Sequence, residues 1–361
     1  MTNILLDNIV FSCQKAGGIS VVWKEHIERL LCDQRFRTQF IEYAGCENNV
    51  FRRELSIPAS AIIRKKSFAI NYWKNLDLWN KGNDSYIFHS STYRIDHNRH
   101  ALNVTTVHDF AYEYFVSGMR KWVNGFSKFH AIRNSDAIIC VSESTKLDLL
   151  KFVKGVDENK LFVVHNGVNE CYCQITSDQY TMKLPFSDQE FVLYVGNRRD
   201  YKNFAAALYC CKKIKAPLVV AGGEIFTEKE QAEMNAILGE GHYYVTGKVT
   251  NEQLNELYNR AQLMLYPSRF EGFGIPVLEA QRAGCPVVCL ALTSIPEVMG
   301  DSPLCLNDSS NDAIADAVKM VFDNSELRKK EIVRGLKNSM RFGWDKTYKG
   351  VTDIYMNLLN R

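Results

Sequence analysis

The sequence predicts an α/β protein made of two domains, each with a parallel β-sheet covered on both faces by helices. Short apolar, β-branched runs alternate with helical patterns along the chain, and most runs end in Gly, Asn, Ser or His, as is typical of buried parallel strands. The chain has 361 residues, 46% of them apolar, enough for two ordinary cores. Two Rossmann-like domains are therefore the simplest architecture that accounts for this pattern.

The predicted strands form two series, one in each half of the chain. The first series is ILLDNIV (4–10), TQFIEY (38–43), YIFHS (86–90), NVTTVHD (103–109), DAIICVS (136–142) and LFVVHNG (161–167). The second series is FVLYVGN (191–197), PLVVAGG (217–223), YYVTG (243–247), LMLYPS (263–268) and PVVCL (286–290). Residues 171–190 between them are polar and lack periodicity, so we expect a linker there. The predicted domains are 1–180 and 181–343.

The last segment, 344–361, is predicted to form an amphipathic helix. Its large apolar residues recur at three- and four-residue spacing, the period of one helix face. They are Trp344, Tyr348, Val351, Ile354, Tyr355, Leu358 and Leu359.

Composition excludes several classes of protein. The 44 Lys and Arg against 41 Asp and Glu give a net charge of +3, too balanced for nucleic-acid binding through bulk charge. The longest apolar run, 204–211, is far shorter than the roughly 20 residues that cross a bilayer. The first residues, MTNILLDNIVF, resemble a core strand more than a signal peptide. The 11 cysteines include no CxxC pair, so reduced thiols in a cytoplasmic protein are expected, with no metal site.

The strongest local signal is EGFGIPVLE (271–279), which follows a predicted strand and opens a helix near Pro276. Gly272 and Gly274 allow the backbone to approach a ligand closely. The amides of Phe273, Gly274 and Ile275 then point at an anion at the helix N-terminus. This arrangement predicts a phosphate-binding loop.

Two glutamates flank this loop. Glu279 falls about one turn inside the helix, where a carboxylate accepts hydrogen bonds from vicinal sugar hydroxyls. Glu271 precedes the helix and is free to hold a second sugar. The alternative is that both are solvated side chains favoured by the helix dipole.

These two glutamates, within PSRFEGFGIPVLEAQRAGCPVV (267–288) and followed by SIPEVMGD (294–301), resemble the signature of family-four (group 1) glycosyltransferases. The resemblance continues through most of the chain. The matching segments are GGI (17–19), TVHD (106–109), VSESTK (141–146), HNGV (165–168), YVGNRRDYKNF (194–204), VTGKVTNEQLNELYNRA (245–261) and FGWDKT (342–347). Members of that family are retaining nucleotide-sugar enzymes of the GT-B fold.

The resemblance implies a first, acceptor-binding domain, a second, nucleotide-sugar domain, and a final helix that crosses back to the first domain. The implied activity is transfer of a hexose from a UDP- or GDP-linked sugar to a glycan or lipid-linked saccharide hydroxyl, in bacterial surface polysaccharide synthesis. Retention implies that the acceptor attacks the face from which the diphosphate leaves. No cofactor is implied.

Residue by residue, the resemblance implies that Glu271 binds the donor sugar and that Glu279 binds the ribose. Arg198 and Lys202 would hold the diphosphate, since fixed cations stabilise the charge that develops on such a leaving group. The sequence has no Asp-x-Asp motif, in agreement with a metal-independent reaction. Asn197 departs from the family pattern, because many members have Arg directly after this glycine.

Five further positions come from the resemblance. His108 would contact the donor sugar, and Asp109 would orient it or meet the acceptor. Gly17 and Gly18 lie in a loop that the family places near the ligands, although a glycine pair is also ordinary turn chemistry. Backbone groups around Val249 would read the base. His108 has an alternative role as a buried structural histidine.

Three other histidines share no ligand spacing with one another, so we expect surface or loop positions for them. These residues are His89, His97 and His100.

Two basic stretches, 50–81 and 117–135, combine Lys and Arg with aromatic residues. They are interpreted either as helices with a solvated basic face or as peripheral contacts to an anionic membrane surface, where a lipid-linked acceptor resides. The aromatic residues are Phe51, Phe68, Tyr72, Trp73 and Trp79 in the first, and Trp122, Phe126 and Phe129 in the second.

Three other functions are weighed. A GT-B nucleotide-sugar epimerase would need acid/base groups around the sugar carbon, and no well-placed carboxylate pair is evident. A non-catalytic nucleotide-sugar-binding subunit disagrees with intact Glu271, Lys202 and His108. A nicotinamide dehydrogenase lacks its glycine fingerprint and acidic partner.

Overall fold

The computed structural model describes residues 2–65, 84–117 and 119–360, with only the helical backbone described for 119–124. The chain divides into two compact units. Unit 1 is Met1–Asn166 with Trp344–Arg361, and unit 2 is Gly167–Gly343.

Unit 1 is built on a parallel sheet in which seven strands are described. In chain order they are β1 (Thr2–Asp7), β2 (Phe36–Tyr43), β3 (Ile62–Lys65), β4 (Tyr86–Ser90), β5 (Ala101–Val107), β6 (Ala137–Cys140) and β7 (Leu161–Val163). Their spatial order is β3-β2-β1-β4-β5-β6-β7, and every neighbouring pair is parallel. The order reverses between β1 and β4, so a ligand crevice is expected at the carboxyl ends of these strands.

The described helices of unit 1 connect these strands. They are α1 (Val10–Cys13), α2 (Gly18–Cys32), α3 (Val50–Glu54), α4 (Ala111–Phe115), α5 (Met119–Asn134), α6 (Glu143–Phe152) and α14 (Trp344–Leu359). The apolar face of α14 buries Val351, Ile354 and Leu358 in the same core as Trp23 and Ile27 of α2. Burial of this stripe explains why the last helix of the chain belongs to unit 1.

Unit 2 has a six-stranded parallel sheet. Its strands are β8 (Val192–Val195), β9 (Leu218–Ala221), β10 (Tyr243–Gly247), β11 (Leu263–Tyr266), β12 (Val287–Leu290) and β13 (Cys305–Leu306). The spatial order β10-β9-β8-β11-β12-β13 reverses between β8 and β11. The loops that follow these two strands therefore meet at a switch point, where α/β proteins bind ligands.

The helices of unit 2 cover both faces of this sheet. They are α7 (Phe204–Ile214), α8 (Glu228–Leu238), α9 (Asn251–Arg260), α10 (Ile275–Arg282), α11 (Ile295–Met299), α12 (Asn311–Asp323) and α13 (Ser325–Ser339). Thr227 and Thr250 cap α8 and α9, each accepting a hydrogen bond from the third helical amide. No helix within the described ranges is both long and apolar enough to cross a membrane.

The predicted architecture of two parallel-sheet domains is confirmed, and the terminal helix spans Trp344–Leu359. The sequence patterns missed β3 and β13, which are short. The helical interpretation of 50–81 is wrong for its described part, where α3 is followed by a 3-10 turn and β3. Phe68, Tyr72, Trp73 and Trp79 lie outside the described residues, as does the side chain of Trp122.

The units divide after Asn166, whereas the sequence analysis placed the boundary after residue 180. The cause lies in α9, whose polar side chains bind the polar segment. Asn255 and Asn259 accept hydrogen bonds from the amides of Cys173 and Ile175, and Glu256 accepts one from Thr181. The segment therefore packs on unit 2 and is no free linker.

Candidate active site

The loop between β11 and α10 carries the EGFG segment and is held by the loop that follows β12. The Ser294 hydroxyl donates to the carbonyl oxygens of Glu271 and Phe273, at 3.0 and 2.9 Å. The Glu271 amide donates to the Thr293 hydroxyl at 3.0 Å. The segment is thus fixed by side chains that sequence reasoning had not singled out.

Gly274 caps α10 in a backbone conformation that requires glycine. Its φ is 102°, in the left-handed region that other residues avoid. A Cβ at this position would lie 2.8 Å from Cδ1 of Ile295. Pro276 follows in the first turn, and Phe273 is buried against Phe342. The N-terminus of α10 is therefore built to a fixed geometry, as the sequence predicts for an anion site.

Lys202 and Glu271 meet beside this loop. Lys202 Nζ lies 2.6 Å from Oε1 of Glu271, and their side chains are 15% and 11% exposed. Lys202 ends a 3-10 turn after β8, which is tied to the β11 loop by the Arg269 amide donating to the Tyr201 carbonyl at 2.7 Å. Two predicted ligand residues from separate loops thus form one ion pair, each neutralising the other.

Glu279 lies on α10, where two tyrosines face its carboxyl group. The Tyr258 hydroxyl donates to Oε2 of Glu279 at 3.0 Å. Burial raises the pKa of Glu279 to about 7, against the opposing effect of hydrogen bonds from Tyr258 and Tyr172. Neither tyrosine was predicted. Tyr172 lies in the segment interpreted as a linker, and Tyr258 lies in the matching segment 245–261, in which the sequence analysis assigns it no role.

Arg198 is engaged elsewhere. Its Nε donates to Glu230 of α8 at 3.0 Å, and Nη1 donates to the carbonyl oxygen of Glu224 at 3.0 Å. The guanidinium also stacks over the Phe226 ring, 4.2 Å from its centroid. Arg198 is therefore held toward α8, whereas Lys202 is held toward Glu271 in the loop that precedes α10.

The sequence analysis also predicts ligand contacts through the backbone, at Gly17, Gly18 and Val249. Gly17 precedes α2 with an extended backbone, and Gly18 begins that helix. A Cβ on Gly18 would meet nothing within 4 Å, so the backbone there faces open space. Val249 is half-buried in the turn between β10 and α9. A Cβ on Gly17 would instead lie 2.7 Å from Oε1 of Gln14, so of the two glycines it is Gly18 whose backbone a ligand can approach directly.

In unit 1, His108 follows β5 and lines a cavity. Other polar residues of its wall include His26, His89, Thr106 and Asn166. Burial is the largest influence on His108 and lowers its pKa to about 4, although Asp109 acts in the opposite direction. The imidazole is therefore neutral at pH 7 and suited to hydrogen bonding with an uncharged ligand such as a sugar hydroxyl.

The surface position expected for His89 is wrong. His89 lies on the central strand β4, is 2% exposed, and shares the hydroxyl of Tyr355 with His26. The distances are 2.6 Å from Nδ1 of His89 and 3.0 Å from Nε2 of His26. Burial holds both pKa values low. The histidine pair anchors α14 to the sheet, a long-range contact that local spacing cannot reveal.

Asp109 lies at the start of a connected polar group. Its carboxylate accepts a hydrogen bond from the Ala111 amide at 2.9 Å. Its carbonyl oxygen accepts one from Lys128 at 2.5 Å, and Lys128 also binds Glu113 at 3.0 Å. Lys128 and Glu113 are both buried. This pair fixes the backbone next to His108.

Two family models match consecutive parts of the chain. Residues 17–170 match the family described as Glycosyltransferase Family 4, and residues 178–337 match Glycosyl transferases group 1. The chain belongs to the group 1, family-four glycosyltransferases. The two matches follow one another and together account for most of this glycosyltransferase.

Its relatives include named mannosyltransferases. O-antigen chain mannosyltransferase B of Escherichia coli is 25% identical over 310 residues, 81% of this glycosyltransferase and 78% of the relative. Serotype-specific mannosyltransferase WbdA of Escherichia coli is 25% identical over 251 residues, 64% of this chain and 30% of WbdA.

Solved structures show that the fold is GT-B. A sucrose-phosphate synthase from Thermosynechococcus elongatus matches over 100% of both chains with a TM-score of 0.77 and 16% identity. HepE of Anabaena, in complex with UDP-glucose, matches over 99% of this chain and 100% of its own with a TM-score of 0.75 and 14% identity. At these identities the likeness concerns the fold alone.

Proposed function

We propose that this glycosyltransferase is a retaining, metal-independent hexosyltransferase. Its donor is a UDP- or GDP-linked hexose, and its acceptor is a hydroxyl of a glycan or a lipid-linked saccharide. Its cellular role is in bacterial surface polysaccharide synthesis. The names of its relatives make mannose the first sugar to test.

The observation that carries this proposal is the Lys202–Glu271 pair beside the N-terminus of α10. A nucleoside diphosphate would draw the Lys202 ammonium onto its phosphates, in line with the helix dipole. Glu271 would then be released to accept hydrogen bonds from the hexose. The pair separates into one group for the leaving diphosphate and one group for the sugar.

The other residues act on the uncharged parts of the donor. Glu279 accepts hydrogen bonds from the ribose hydroxyls, and the backbone near Val249 meets the base. His108 donates to or accepts from the hexose in its neutral form, and Asp109 orients it. Gly17 and Gly18 let the main chain approach the ligand. Arg198 supplies a second cation only by leaving Glu230, so Lys202 is the principal one.

The chemical step follows from these contacts. Lys202 and the α10 amides stabilise the negative charge that develops as the diphosphate leaves. The acceptor hydroxyl attacks the same face of the sugar, and a phosphate oxygen takes its proton. The anomeric configuration is thereby kept.

The proposal places the reaction in the cytoplasm at an anionic membrane surface. Phe115 of α4 and Phe126 of α5 are 51% and 65% exposed, and Arg133 is exposed on the same helix as Phe126. Exposed aromatic and basic groups favour interfacial binding. Co-sedimentation with anionic but not neutral vesicles is expected, and no sedimentation at low salt would contradict it.

The test of the donor is a thermal-shift screen of UDP, GDP, ADP, their hexose conjugates and NAD, with and without a metal chelator. One nucleoside diphosphate at 100 times its dissociation constant should add about 2.7 kcal/mol of stability. NMR of the transferred hexose should then show the anomeric configuration of the donor. A selective response to NAD, or no response in a cooperatively melting protein, would contradict the proposal.

A further inference from the structure

The edge of the unit 2 sheet brings two thiols together. Cys289 of β12 and Cys305 of β13 are direct partners in the parallel register. The strands are joined there by the Cys289 amide donating to Leu304 at 3.0 Å and the Ala291 amide donating to Leu306 at 2.7 Å. Neighbouring strands lie about 4.8 Å apart, within the about 4.4 to 6.8 Å between Cα atoms that a disulfide spans.

Both side chains leave the sheet on the same face. Val288 and Leu290 of β12, and Leu304 before Cys305, belong to one core cluster. Because side chains alternate along a strand, Cys289 and Cys305 point to the opposite face. They therefore lie side by side rather than across the sheet. Both are free thiols in this structure.

The two thiols differ in their surroundings. Cys289 is buried and Cys305 is half-buried. Their mutual hydrogen bond lowers the pKa of Cys305 and raises that of Cys289, which burial raises further. A partly accessible thiol with the more acidic proton beside a shielded thiol is the arrangement of an attacking and a resolving cysteine.

We propose that Cys289 and Cys305 form a reversible disulfide site that reacts with hydrogen peroxide. The Cys305 thiol loses its proton, the thiolate attacks a peroxide oxygen, and the O–O bond breaks to give a sulfenic acid. The departing hydroxide takes up the proton that the thiol lost and leaves as water. The Cys289 sulfur then attacks the Cys305 sulfur, the S–O bond breaks, and a second water leaves with the Cys289 proton. The two cysteines lose two electrons, which reduce the peroxide, and a dithiol reductant reverses the reaction.

The test is peptide mapping of the intact, folded protein after brief treatment with hydrogen peroxide. The remaining thiols are alkylated before digestion with a protease that cuts after glutamate. Cleavage at Glu279, Glu297 and Glu326 places the two thiols on separate peptides. We expect these peptides to be linked, with a mass about 2 Da below their sum because two hydrogen atoms are lost. Dithiothreitol should separate them.

Cys285 shares a peptide with Cys289, so Cys285→Ser is the matched control and should keep the link. Cys305→Ser should abolish it. Cys289→Ala should leave Cys305 as a sulfenic acid that dimedone captures. Unlinked peptides in wild-type protein, or a link retained in Cys305→Ser, would overturn the proposal. The wild-type measurement does not depend on the folding of any variant.

Discussion

The charged side chains around the candidate site residues differ in exposure between the two units. In unit 2, Lys202 and Glu271 are partly exposed and neutralise each other at the N-terminus of α10. In unit 1, the charges next to His108 are buried and occupied, because Lys128 binds Glu113 and the Asp109 carbonyl. Lys202 in unit 2 is therefore available to an anion only when it separates from Glu271, whereas unit 1 presents a neutral imidazole at His108.

The largest expected effect comes from separating the unit 2 pair. Lys202→Ala and Glu271→Ala should each lower kcat/KM for transfer about 100-fold or more, since a preorganised charged group is lost from the transition state. Lys202→Ala should also weaken nucleoside diphosphate binding, measured by calorimetry. Lys213→Ala is the control, because Lys213 pairs with Asp312 and Asp316 on the helical surface of the same unit. Wild-type rates in both variants would place the donor elsewhere.

The second effect concerns the carboxyl group of Glu279 in unit 2. Burial raises the pKa of Glu279 from 4.5 to about 7. Between these values the unfolded chain loses its proton while the folded protein keeps it. The free energy of unfolding therefore falls as pH rises through this range and levels off above 7, by about 3 kcal/mol.

Urea unfolding of wild-type protein and Glu279→Gln at pH 4.5 and 8 measures this contribution. The variant lacks the titrating group, so the stability difference between the two proteins should change with pH. An equal pH dependence in both would show that Glu279 titrates normally in the folded protein.

The third effect distinguishes two glycines. Gly274→Ala should cost about 1–3 kcal/mol, because alanine is strained at a φ of 102° and its Cβ would contact Ile295. Gly18→Ala should fold with unchanged stability, since open space surrounds that position. Thermal unfolding of both variants checks the comparison, and equal melting temperatures would contradict it.

The sequence patterns predicted the features that depend on residues close together in the chain. The β–α alternation predicted both parallel sheets except for their short edge strands β3 and β13. The apolar period predicted the last helix, and the EGFG segment predicted the start of α10. They could not predict partners distant in sequence. Tyr258 faces Glu279 only because α9 packs beside α10, and His89 is buried because β4 is central. The Arg198 contact depends on Glu230, which looks like a simple capping residue of α8.

The fourth effect is confined to unit 1. His108→Ala should lower kcat about tenfold, because the hexose loses a positioning contact. Its affinity for the nucleoside diphosphate should stay at the wild-type value, since that ligand is assigned to unit 2. His97→Ala, at an exposed position, is the control. A weakened nucleoside diphosphate affinity in His108→Ala would break the division of roles between the units.

The smallest effect is expected at Arg198, and it decides which cation serves the diphosphate. Before binding a phosphate, Arg198 would have to lose its contacts with Glu230, the Glu224 carbonyl and the Phe226 ring. When Lys202 moves from Glu271 to a phosphate, by contrast, the Glu271 carboxylate becomes available to the sugar. Arg198→Ala should therefore change nucleoside diphosphate affinity less than about twofold, well below the effect of Lys202→Ala. Glu230→Gln tests the same point by removing the ion-pair partner of Arg198. If nucleoside diphosphate affinity rises in this variant, the Arg198 guanidinium reaches the phosphates, and both Arg198 and Lys202 bind the leaving diphosphate.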